Sequence, residues 1–226
     1  MVDAGKAALV RQATKEKPFV NSLGMKFVPV PGTNVLFCVW ETREQDFAAF
    51  SRATGVKPGP KNPKEYYDSS PTGPTMPVTG VTKAECDAFC RWLSQKESLT
   101  YRLPSDEEWS AAAGNTIFPW GDNPSPPAVK ANIVGEEIKT GLWPKNSTVA
   151  VAHRDLFPRA SPVGSFPSNA FGIFDLAGNV WERTIGGKIR GGSWANHPIA
   201  SATQKEWGFC GGHIGFRCVV EVAPGQ

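Results

Sequence analysis

Glycine and proline interrupt this chain too often for a helical bundle or a doubly wound sheet: 23 glycines and 20 prolines among 226 residues leave few long stretches for regular structure. Eight tryptophans point to an aromatic core. The expected class is therefore α+β, with short antiparallel strands, few helices and much irregular structure. At 40% hydrophobic the chain can fill a core, yet no apolar run approaches the roughly 20 residues of a membrane span. The formal charge of +3 is made of mixed signs without a basic stripe, so nucleic acid is not an expected partner. Residues 1–17 are small and polar and lack the layout of a secretory signal, which fits a cytoplasmic protein or a domain cut from a larger one.

Local signals place the elements. Gly24-Met-Lys-Phe-Val-Pro-Val30 and Val35-Leu-Phe-Cys-Val-Trp40 read as two strands turning at Pro31-Gly-Thr-Asn34. Three capping boxes mark helix starts, in which an N-cap oxygen and an acid or amide three residues on satisfy free backbone N–H groups. They are Thr42 with Gln45, Thr82 with Glu85, and Ser105 with Glu108. The first helix should bury Phe47 and Phe50 and stop near Gly55. The second carries Cys86, Phe89, Cys90 and Leu93 on one face, and the third turns Trp109 and Ala112 inward. The proline-rich stretch from Lys57 to Pro77 reads as a long surface excursion, either a wall of a groove or a solvated connection.

A set of motifs then appears in order: Asn21-Ser-Leu-Gly-Met-Lys-Phe-Val28, Met76-Pro-Val-Thr79, Ala88-Phe-Cys-Arg-Trp92, Tyr101-Arg-Leu-Pro-Ser-Asp-Glu-Glu-Trp109, Phe118-Pro-Trp-Gly121, Ala131-Asn-Ile133, Pro162-Val-Gly-Ser-Phe166, Gly172-Ile-Phe-Asp-Leu-Ala-Gly-Asn-Val-Trp-Glu182, Arg190-Gly-Gly-Ser-Trp194 and Gly215-Phe-Arg-Cys218. In that order they resemble the formylglycine-generating, or sulfatase-modifying factor, superfamily. The resemblance implies a variant of the C-type lectin fold over residues 18–222, with 1–17 an extension or linker and 223–226 a tail. It also implies calcium, bound in one place by the side chains of Asn132 and Asp155 with the carbonyls of Ile133 and Phe157. A second place would use the side chains of Asp175 and Glu182 with the carbonyls of Gly178 and Val180. Hard oxygen ligands in Gly-containing turns suit that ion. Cys90 and Cys218 match a pair that forms a disulfide in some members; Cys38 and Cys86 read as buried small hydrophobes.

The enzymes of the family hold copper(I) between two thiolates placed soon after the Gly-Gly-Ser. Here the first of those positions falls on Asn196, and no cysteine lies between Gly191 and Phe209. Cys210 alone is not a two-thiolate site for a soft ion, so copper is not expected. His153, His197 and His213 are too scattered for the iron site of other relatives. The expected role is therefore a non-catalytic domain that binds an unknown protein or small ligand. Its surface would comprise Trp194, Ala195, Asn196, His197, Trp207, Phe209, Cys210 and His213, a mix of aromatic area and hydrogen-bonding groups. That stretch resembles the variable proteins of diversity-generating retroelements. The alternatives are a formylglycine-generating oxidase acting on a sulfatase-type cysteine, or an interaction or sensor module of a bacterial Ser/Thr kinase.

Overall fold

A computed structural model describes residues 3–59, 71–114, 131–135, 154–196, 205–206 and 212–222. The polar stretch expected to be an extension is docked. It forms helix α1 (Ala4–Arg11), capped by the Asp3 side chain, with Ala7 and Val10 entering the core and Lys6 paired to the buried Glu97 at 2.7 Å. Two apolar residues spaced i, i+3 suffice to seat a short polar helix.

Strands β1 (Phe19–Val20), β2 (Lys26–Pro29) and β3 (Val35–Cys38) follow as an antiparallel meander, with the turn expected after Val30. The strand nearest the C-terminus, β9 (Val219–Glu221), pairs with β3, and β4 (Tyr101–Arg102) completes a sheet ordered β1-β2-β3-β9-β4. Alternation along these strands fills both faces. Phe27, Leu36, Cys38 and Val220 join one apolar cluster, whereas Val28, Val35, Phe37 and Val219 join another. Period-2 side-chain geometry places the two sets on opposite sides.

Helices α2 (Glu44–Thr54) and α3 (Lys83–Glu97) supply the first cluster. Phe47 stacks on Phe89 at 5.8 Å, and Phe89 meets Phe216 edge-on at 5.5 Å. Burying each such ring contributes about 1.5–3 kcal/mol. Helix α4 (Asp106–Ala113) serves the second cluster through Trp109 and Ala112. The boxes at Thr82 and Ser105 form as read, with Thr82 Oγ1 and Ser105 Oγ each accepting the N–H of its Glu at 3.1 Å.

The box expected at Thr42 and Gln45 is displaced by one residue. Arg43 takes the N-cap position, and the Asp46 carboxylate accepts its backbone N–H at 3.0 Å and its guanidinium at 2.9 Å. Thr42 is not available as a cap because long-range bonds hold it. Its N–H donates to Phe216 and its carbonyl accepts from Val78, both at 2.8 Å.

A second sheet is ordered β7-β6-β5-β8, from β5 (Trp181–Arg183), β6 (Lys188–Arg190), β7 (Lys205–Glu206) and β8 (Ile214–Gly215), with β5 and β8 parallel. Of the excursion from Lys57 to Pro77, the described parts contain no helix or strand, and 60–70 lie outside the described residues. The architecture is α+β. Among the described residues no helix is long and apolar enough to cross a membrane.

Candidate functional site

The loops between the two sheets converge on Arg217, which has no exposed surface. A buried guanidinium must be paired and hydrogen-bonded. Glu182, on β5, accepts from Nη2 at 2.5 Å and from Nε at 2.6 Å, and Trp109 donates its indole N–H to the same carboxylate at 3.0 Å. The carbonyls of Cys38 and Phe174 accept two more guanidinium protons at 3.2 and 2.9 Å. Glu182, expected as a calcium ligand, is thus the partner of an arginine. The sequence held a signal for this: a basic residue between Phe216 and Cys218 in an apolar run calls for a buried acid.

Beside that pair, a left-handed turn carries the rest of the second expected cation corner. Asp175, Gly178 and Asn179 stand at φ of 58°, 86° and 52°. Gly178 is required there twice over, by its backbone angle and because a Cβ would sit 2.0 Å from the Asn132 carbonyl oxygen. Asp175 accepts the Gly164 N–H at 2.6 Å through Oδ2, while its buried Oδ1 has no hydrogen-bond partner. Burial pushes its carboxyl up to about 6 against the opposing pull of the Gly164 bond. Glu41, which sequence reasoning did not single out, is fully buried nearby. It accepts from Asn179 Nδ2 at 3.0 Å and from the Val180 N–H at 3.4 Å. Burial first, then Asp175, hold its carboxyl well above the usual range.

Hydrogen bonds join residues expected at the first cation corner. Asp155 accepts the N–H groups of Ile133 at 3.0 Å and Phe157 at 2.8 Å, which draws three of the four named residues together. Asn132 donates to the Arg159 carbonyl at 2.9 Å and to Asn179 Oδ1 at 3.2 Å, leaving its own Oδ1 buried without a donor. An orphaned buried oxygen beside a buried carboxylate is a donor set that suits a hard cation. Among the described residues, no three of His, Cys, Asp and Glu converge to hold a metal by side chains alone. A cation here would draw its other oxygens from backbone or water.

The expected binding surface begins on top of this frame. Trp194 is buried against Met76, Ala160 and Val180, and its backbone N–H donates to the Asn179 carbonyl at 3.0 Å. Ala195 and Asn196 are half-buried. The Ser193 hydroxyl donates to Asn196 Oδ1 at 2.6 Å, and the Asn196 carbonyl accepts from Val134 at 3.1 Å. At the far end His213 is buried, and its carbonyl accepts the Trp181 N–H at 2.9 Å. Trp194 and His213 therefore frame the surface from within instead of lining it. His197, Trp207, Phe209 and Cys210 lie outside the described residues.

Cys90 and Cys218 are adjacent as expected, but as free thiols joined by a hydrogen bond, not as a disulfide. That bond and burial raise the Cys90 thiol well above its usual range. Cys38 and Cys86 are buried, as expected of small hydrophobes.

Residues 39–222 match the model of the sulfatase-modifying factor enzyme 1-like domain. Among curated relatives, inactive C-alpha-formylglycine-generating enzyme 2 of Mus musculus is 30% identical over 165 residues, covering 63% of this chain and 48% of the relative. Formylglycine-generating enzyme of the same animal is 27% identical over 181 residues, covering 66% and 45%. The chain thus spans less than half the length of these two relatives. Among solved structures, PvdO from Pseudomonas aeruginosa superposes with a TM-score of 0.64 at 25% identity, over 83% of this chain and 80% of that one. Treponema denticola variable protein 1 gives 0.56 at 17% identity, over 87% and 94%, a likeness of fold.

Proposed function

The chain belongs to the sulfatase-modifying factor enzyme 1-like domain family, and from that membership we propose that it is a non-catalytic member that presents a ligand- or protein-binding surface between Trp194 and His213. The observation that carries this reading is Asn196. By the resemblance it falls at the position of the first copper thiolate, and its carboxamide is tied to Ser193 at 2.6 Å. A carboxamide neither holds a soft cation as a thiolate does nor exchanges with a substrate thiol. With no cysteine from Gly191 to Phe209, no second thiolate replaces it. A relative described as inactive supports the reading, and a variable protein of the same fold supports display of a surface.

Calcium has a structural part in this proposal. Asn132 and Asp155, with the carbonyls of Ile133 and Phe157, would hold it and cross-link loops that no strand pairing joins. Val134, next to Ile133 in the chain, ties this corner to the start of the surface by donating its N–H to the Asn196 carbonyl.

Two measurements test the function. The protein charged with copper(I) and given a Cys-x-Pro-x-Arg peptide should leave the peptide mass unchanged; conversion to the aldehyde overturns the reading. In glycan and peptide arrays, a ligand held by the wild type should be lost when Trp207 and Phe209 are replaced by alanine.

A further inference from the structure

We propose that the cavity between α2 and the two ends of the excursion from Lys57 to Pro77 binds a small organic anion, a carboxylate with an apolar body and one uncharged polar group at its far end. The cavity measures about 420 Å³, within the range of small-molecule sites. One stripe of α2 forms its long wall, with Glu44, Phe47, Ala48, Ser51 and Arg52 spaced i, i+3, i+4, i+7 and i+8. Both ends of the excursion are anchored. Gly73 donates its N–H to the Glu44 carboxylate at 2.9 Å, and the carbonyls of Met76 and Pro74 accept from the N–H groups of Glu44 and Gln45 at 2.8 and 3.2 Å. Gly59 lies so near Gly80 that a Cβ on it would stand 3.1 Å from the Gly80 carbonyl oxygen. From these two ends Pro58 and Thr72 complete the lining.

The lining is graded from an apolar floor to a polar rim. Phe47, Val78 and Thr79 are buried, Ala48, Ser51 and Pro58 are half-buried, and Arg52 is exposed. Two polar groups along it lack a protein partner. The Thr79 hydroxyl is buried without a hydrogen bond, on a residue 1% exposed, a cost that a ligand or a water would relieve. The Arg52 guanidinium makes no ion pair or hydrogen bond among the described residues, whereas Glu44 at the other end of the stripe already accepts from Gly73. The uncompensated charge on this wall is therefore positive. Val78 donates its N–H to the Thr42 carbonyl at 2.8 Å, which sets Thr79 near the start of α2. Arg52 is eight residues beyond Glu44, about 12 Å along the helix axis. A carboxylate lowered onto the floor would lose its water without gaining a counter-charge, so the anionic group belongs at Arg52. There a full positive charge outweighs the partial negative charge of the helix end. Phe47, Ala48, Pro58 and Val78 cover the body between, and Thr79 meets the polar group at the far end.

The probes are para-hydroxyphenylpropanoate, its amide, and phenylpropanoate, titrated into the full chain and followed by backbone amide shifts in NMR. Shifts with the first should saturate and centre on α2 and on Val78 and Thr79. The amide should bind about two- to fivefold more weakly, as an exposed guanidinium implies, and Arg52→Gln should abolish that preference. Thr79→Val should weaken the hydroxylated probe about two- to tenfold, to the level of phenylpropanoate. The same variant should melt no lower than wild type when free, because it removes a hydroxyl that has no partner. Shifts that do not saturate or that centre elsewhere overturn the proposal, as does equal binding of acid and amide. A Thr79→Val variant that melts lower and binds the probe unchanged also overturns it, since the hydroxyl then serves the fold alone. Should Thr79→Val fail to fold, the exposed Arg52→Gln variant and the acid-to-amide ratio decide. No lining residue belongs to the surface between Trp194 and His213, so this site and that surface succeed or fail separately.

Discussion

The five-stranded sheet and the loop cradle beside it are stabilised in opposite ways. The sheet is covered on both faces by side chains without polar atoms, such as Phe27 and Leu36 on one side and Val28 and Phe37 on the other. In the cradle, buried side chains bond to backbone: Asp155 to Ile133, Asp175 to Gly164, Glu41 to Val180 and Arg217 to Cys38. Apolar packing degrades gradually as volume is lost. A charged network is all or nothing, since one missing partner strands another charge.

Matched deletions expose that difference. Phe89→Ala should cost about 3–5 kcal/mol, and Arg217→Met, which strands Glu182, a similar 3–5 kcal/mol or so. Urea denaturation with and without calcium separates them: the Phe89 loss should be the same in both, while the Arg217 variant should respond to calcium differently from wild type. If both lose stability without regard to calcium, the cradle is only a core with polar atoms. Gly178→Ala should cost about 1–3 kcal/mol from its left-handed backbone alone, and more through its approach to Asn132. It should also reduce calcium affinity, measured by calorimetry.

The smallest effect concerns the seat of α1. Burial alone would raise the Glu97 carboxyl, but bonds from Lys6 and Ser22 outweigh it and hold the group below its ordinary value. A depressed carboxyl gives stability that is complete above the unfolded pKa and disappears as pH falls through the folded one. Glu97→Gln should therefore cost about 1–2 kcal/mol at pH 7, and the difference from wild type should vanish in acid melts below the usual carboxylate range.

How far the sequence discloses each region follows from the range of its interactions. Strand alternation around Pro31 and the boxes at Thr82 and Ser105 are local, so residue order reports them directly. Thr42 misleads because its backbone is claimed by Phe216 and Val78, contacts that no local pattern carries. Helix α1 is concealed by its polar composition, although Ala7 and Val10 are enough to dock it. In the cradle, the Asn132 and Asp155 corner is recognisable only through a motif resemblance, because its partners are distant in the chain. Glu41 gives no local sign at all, as the amide it accepts from is 138 positions away. The pairing of Glu182 is hidden for a related reason: its acidity is visible in the sequence, but the arginine that neutralises it is 35 residues on.

Among the described residues, the segment from Asn196 to His213 is held at both ends and at β7. Its clamps are the Asn196 carbonyl on Val134, the His213 carbonyl on Trp181, and the pairing of Lys205 with Ile189. All three are made by main-chain atoms, which every residue but proline supplies alike. Exchanging side chains between the clamps leaves in place the main-chain donors and acceptors that form them.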